Sequence, residues 1–159
     1  MRGAGALSLH GGVWLLPHRP EHEKLARDVL AQVRAAGGEG VLLASDLLDG
    51  LSAEAVHARF LQERDQEYEE VVEGCGEFLA EIEKETAAQK FTYPELEEIE
   101  GMLARLHLWF RKIRARDFFG APGAEEAQRH LAVCVKACEG YAARVYAVLG
   151  VGGGSRAEI

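Results

Sequence analysis

An arginine in the middle of an apolar helical stripe is the first place in this chain where chemistry could reside. Phe60, Leu61, Arg64, Tyr68, Val71, Val72, Cys75, Phe78, Leu79 and Ile82 recur at spacings of three and four, which puts Arg64 on the packing face of one long helix and one turn before Tyr68. A guanidinium on such a face requires either a carboxylate of the protein or an oxyanion, and a doubly charged tetrahedral anion matches its fork of donors. Arg116 and Asp117 follow a second long helix and come to the same end if the two helices fold back antiparallel. Arg64, Tyr68 and Arg116 are therefore one candidate oxyanion set, with Tyr68 as hydrogen-bond donor. The competing reading pairs Arg64 with Asp117 or a glutamate and makes it structural.

Two further constellations carry reactive side chains. Arg105, Arg111, Lys112 and Arg114 are a basic segment that divides by helical angle: Arg105, Trp109, Lys112 and Arg116 on one flank, His107, Arg111 and Arg114 on the other. One flank suits nucleic-acid phosphates, whereas an acidic helix alongside favours a solvated or ion-paired face; no helix-turn-helix spacing supports base reading. His130, Cys134 and Cys138 recur every four residues, the spacing of a soft-metal or redox cluster. Successive steps drift by about 40°, and both cysteines coincide with a core stripe, so packing is the alternative. Glu63, Glu67 and Glu70 are expected to face solvent. There is no nucleophile elbow, phosphate-binding glycine loop or catalytic acid pair, so neither an enzyme nor a cofactor is expected.

These residues need elements to position them. Ala53–Pro122 reads as two long helices folded back on each other, the second carrying Leu96, Ile99, Leu103, Leu106, Phe110 and Ile113 and opening at Thr92-Tyr93-Pro94-Glu95, an N-cap followed by proline and an acid. The acidic first helix is expected to form surface ion pairs with the basic end of the second. A third helix, from about Ala124 to Leu149, carries Ala127, Leu131, Cys134, Cys138, Tyr141, Val145 and Val148. Before them, Ala6–His10 and Val13–Leu16 flank Gly11-Gly12, the signature of a β-hairpin; Glu21–Ala36 reads as a helix and Val41–Ala44 as a third strand. Leu47, Leu48 and Leu51 lead to Ser52, a loose capping box.

The expected fold is α+β and mostly helical: a β-hairpin, helix and strand in residues 1–51, a bundle of three long helices in 52–149, and a disordered tail in 150–159. At 159 residues the chain suffices for one well-buried core. Its 48% hydrophobic and 28% charged composition is that of a soluble protein, and a net charge of −8 disfavours nucleic-acid binding by the surface as a whole. No apolar run approaches a membrane span and no signal-peptide order opens the chain, so a cytoplasmic protein without membrane contact is expected. The odd number of cysteines, Cys75, Cys134 and Cys138, reads as reduced thiols.

The strings GGVWLLP with the following Arg19-Pro20, RFLQERDQEYEE, KFTYPELEEIEGMLARL and RKIRARDFFGAP resemble the N-terminal domain of the ChrB family over roughly residues 6–148. The resemblance implies a protein tied to chromate resistance, usually beside a chromate efflux transporter and often described as a chromate-responsive transcriptional regulator. It implies that the hairpin and strand are the remnant of a ferredoxin-like unit whose usual first strand and helix are not in this sequence. A different start, direct closure of the gap or a strand from another chain would each resolve that, the last implying a homodimer. Longer family members carry a C-terminal domain, so a ChrB-type C-terminal partner is the alternative. The functional expectation is an oxyanion-responsive regulator, with chromate or a related oxyanion and DNA as ligands. The alternatives are a non-catalytic helical interaction module and a thiol-dependent chromate reductase using Cys134 and Cys138.

Overall fold

A computed structural model describes residues 1–46 and 52–150. The elements in order are β1 (Leu7–Ser8), β2 (Trp14–Leu15), α1 (Pro20–Ala35), α2 (Ala53–Ala87), α3 (Tyr93–Arg114) and α4 (Gly123–Leu149), with short 3-10 turns at Arg2–Ala4 and His10–Gly12. The fold is α+β and mostly helical. The chain divides into two compact units, Met1–Leu61 with Arg116–Phe119 and Gln62–Ala115 with Gly120–Ile159. Leu47, Leu48 and Leu51, and the tail from residue 151, lie outside the described residues.

In the first unit β1 and β2 pair antiparallel, Leu7 opposite Leu15 and Ser8 opposite Trp14. The turn needs its glycines: Gly11 and Gly12 have φ of 73° and 82°, a region closed to most side chains. Val41–Ala44, expected as a third strand, forms none. An apolar run becomes a strand only when a ladder accepts its backbone groups, and Val41 and Leu43 are 82% and 79% exposed. α1 begins at Pro20 and has no buried residue. The apolar side chains it buries, among the described residues, are Ala6, Leu7 and Phe60. Around Phe60 stand Phe118 and Phe119, with His22 edge-on to Phe118 at 4.7 Å and His57 edge-on to Phe119 at 4.5 Å.

The second unit is built by three apolar stripes. α2 starts in the first unit, where the Ser52 hydroxyl accepts from the Ala55 N–H at 3.1 Å; in the second, Thr92 starts α3 by accepting from the Glu95 N–H. Tyr68, Val71, Cys75 and Phe78 of α2, Ile99 and Ile113 of α3, and Ala127, Cys134 and Val145 of α4 are at most 1% exposed. Tyr68 stacks tilted on Phe110, and Cys134 lies against the Cys75 carbonyl. The α4 stripe ends one turn earlier than its spacing predicts, since Val148 is 64% exposed.

Two long-range contacts fix the ends of these helices. Asp65 Oδ1 accepts from the Gly123 N–H at 2.8 Å, so a residue of α2 caps α4. A side chain at position 123 would have its Cβ 2.9 Å from that same oxygen. At the α2–α3 joint the Tyr141 hydroxyl donates to the Lys90 carbonyl, and Gln89 takes a left-handed φ of 55°. Lys90 Nζ reaches the buried carboxylate of Glu85 at 2.9 Å. Nζ also donates to Glu85 Oε1 at 3.2 Å, and that hydrogen bond holds Glu85 below the usual carboxylate range and raises Lys90 above its ordinary value.

Candidate functional site

Arg64 is 6% exposed on the inner face of α2 because the periodicity that buries Phe60 and Tyr68 carries it inward as well. Its head is held from its own helix. Nη2 donates to Glu63 Oε2 at 3.3 Å, and Nε lies 2.9 Å from Glu67 Oε2 in an ion pair too poorly aligned for a hydrogen bond. Nη1 is buried and has no hydrogen-bond partner among the described residues. Glu63 and Glu67 therefore do not simply face solvent, as their helical angle predicts. A long arginine arm folds back along the helix and draws both carboxylates to the edge of the stripe.

Of the expected oxyanion set, Arg64 and Tyr68 come together on one buried face of α2, and Tyr68 is fully buried. Arg116 belongs to the first unit, where its Cβ crowds Gly5: a Cβ on Gly5 would lie 2.8 Å from it. The three do not form one constellation within either unit.

The basic residues of α3 are exposed: Arg105, Arg111, Lys112 and Arg114 all face solvent. The ion pairs expected between this segment and acidic α2 are not made by Arg105, Arg111 or Lys112, none of which has a carboxylate within 4.0 Å among the described residues. Between Arg105 and α2 runs a cleft of about 200 Å³ lined by Gly74, Glu77, Met102, Arg105, Leu106 and Trp109. Gly74 creates it. A Cβ there would sit 2.9 Å from Leu106 Cδ2 and 3.8 Å from Trp109 Cζ3. Nothing in the helical periodicity flags this cleft, except that a glycine interrupts a row of glutamates.

The thiols are packed inward. Cys75, Cys134 and Cys138 are all free and buried. Burial, reinforced by the Cys75 thiol beside it, pushes Cys134 up from 9.0 to about 12, and burial likewise raises Cys75 and Cys138. At neutral pH each is a protonated thiol and a poor nucleophile. Cys134 turns toward Cys75 of α2, not toward a shared ligand with Cys138 and His130. Among the described residues no three His, Cys, Asp or Glu side chains are grouped to hold a metal ion.

The fold and these side chains define a mostly helical α+β domain whose distinctive charged group is a buried, carboxylate-flanked arginine. Residues 1–151 match the family described as Protein ChrB, N-terminal, and the chain belongs to that family. Membership associates it with chromate resistance. No curated protein and no solved structure matches it. No helix among the described residues is long and apolar enough to cross a membrane.

Proposed function

We propose that this chain is a non-catalytic regulatory domain of chromate resistance that responds to an oxyanion at Arg64. The observation that carries the reading is the buried Nη1 of Arg64, a charged donor without a hydrogen-bond partner among the described residues. Leaving such a group unsatisfied costs about 1–3 kcal/mol or more, which an arriving acceptor would recover. Glu63 and Glu67 hold the guanidinium in place meanwhile. Glu63, the longer of the two contacts and 40% exposed, is the one free to swing out when a dianion competes for the fork. Tyr68 orders the next turn of the same face. The raised thiols disfavour a thiolate-based reductase. Exposed Arg111 and Arg114 offer the phosphate contacts that a DNA-binding regulator would use.

Thermal unfolding of the wild type and Arg64→Met in chromate, sulfate and chloride at matched ionic strength tests this. Chromate at a hundred times its Kd should stabilise the wild type by about 2.7 kcal/mol and leave Arg64→Met unmoved. If chromate does not shift the wild type, the oxyanion reading fails. A loss of about 3–5 kcal/mol in Arg64→Ala without any anion response would make the arginine purely structural.

A further inference from the structure

The cleft between α2 and α3 is walled by charges of opposite sign. Glu70, Gly74, Glu77 and Glu81 fall on one stripe of α2, at steps of four, three and four, and Glu77 lines the cleft. On α3, Met102, Arg105, Trp109 and Lys112 make the facing stripe, at steps of three, four and three. Arg105 and Lys112 are exposed and unpaired among the described residues, as are Glu70 and Glu77. Met102 and Trp109 stay half-buried between the two walls, over a floor formed by Leu106 against Gly74. An apolar seam between an acidic and a basic row is complementary to itself, which is the condition for an isologous interface.

We infer that this cleft is where a second copy of the chain docks, with the two-fold axis running along the seam. The charges select that axis. A two-fold along the seam lays α2 of one copy over α3 of the other, acid on base, whereas a two-fold across it would lay α2 on α2, acid on acid. The levels agree as well. α2 and α3 run antiparallel with Gly74 opposite Leu106 and Trp109, so Glu77 stands near the level of Arg105 and Glu70 near that of Lys112. Rotation about the seam keeps those levels, bringing each glutamate against its basic counterpart in the other copy while Trp109 meets the opposite seam. A half-exposed tryptophan with adjacent arginine is the composition that dominates interface energies. Because the groove is short and its rim ionic, the dimer is weak and salt-sensitive.

The test is sedimentation velocity of the full chain across a concentration series in low and high salt. The wild type should dimerise reversibly and lose affinity on adding salt. Glu77→Arg and Arg105→Glu each place two like-charge pairs in the interface and should each weaken association at least about ten-fold. The double variant Glu77→Arg/Arg105→Glu restores both pairs with the signs exchanged and should recover the dimer. Both substitutions are at exposed positions, and unaltered far-ultraviolet circular dichroism would show that the three variants fold. A wild type that stays monomeric overturns the inference, whether or not another ligand then occupies the cleft. So does a dimer indifferent to both single reversals, or a double variant no better than the singles.

Discussion

Ile99 and Leu30 are aliphatic residues on amphipathic helices of the same chain, yet Ile99 is 1% exposed while Leu30 is only half-buried on α1, a helix without a single fully buried residue. The difference is architectural. In the second unit three long helices present apolar stripes to one another, so the residues of the stripes cover one another and a core closes between them. In the first unit one helix and a two-stranded hairpin must share a handful of aromatic rings, and a hairpin alone is marginal in water. Val13, Val41 and Leu43 remain exposed there. Hydrophobic pattern thus builds a core only when enough elements of matching period are present to receive it.

The sharpest way to break this contrast is to make the same truncation in both units. Ile99→Ala should cost about 2–5 kcal/mol in urea denaturation, because it leaves a cavity among packed neighbours. Leu30→Ala should cost about 1 kcal/mol or less. Equal losses would mean that α1 is covered in solution and that the two units are not differently packed.

A smaller effect probes how the second unit fixes its helix ends. Asp65→Ala removes both the acceptor for the Gly123 N–H and a negative charge at the start of α4, and should destabilise by about 0.5–2 kcal/mol. Asp65→Asn, which keeps the acceptor, should recover part of that loss in the same denaturation assay. An alanine variant as stable as the wild type would show that the cap contributes nothing.

The least effect at neutral pH, and a visible one only at the extremes, comes from titration. Cys134 is harder to ionise in the fold than in the open chain, so the stabilisation it brings is complete below pH 9.0 and is lost as pH rises toward about 12. Glu85 has the opposite sign: its folded value lies below 4.5, so its contribution holds above that pH and fades as acid protonates it. A pH series of melting temperatures on Cys134→Val should flatten the alkaline limb, and on Glu85→Gln the acid limb. A wild-type alkaline limb that persists in Cys134→Val would assign it to other groups.

Much of the second unit was legible in the sequence because its determinants are local and periodic. The stripes of α2, α3 and α4 and the Thr92 cap follow from spacing, and the buried place of Arg64 follows from the same arithmetic. The glycine pair of the hairpin was equally readable, since only positive φ explains it. The third strand at Val41–Ala44 was not, because strand formation depends on a partner that the segment itself cannot specify. Nor were the contacts of Asp65 with Gly123, Tyr141 with Lys90 or Glu63 and Glu67 with Arg64. The first two join residues more than fifty positions apart, and the third depends on a side-chain rotamer. Gly74 leaves no mark on a hydrophobic pattern, although its missing side chain opens the cleft.

The burial of Cys75 beneath Cys134 has a consequence for the order in which the chain is made. Cys75 leaves the ribosome nearly sixty residues before Cys134, the α4 residue that lies against it. Until α4 docks, this thiol lacks the cover of Cys134 and is closer to an ordinary thiol in its readiness to ionise. In a cell exposed to a strong oxidant such as chromate, that interval is the thiol's period of greatest hazard. Each molecule that completes its helical unit withdraws the thiol from attack, so rapid docking of the last helix protects the newborn chain as well as stabilising the finished one.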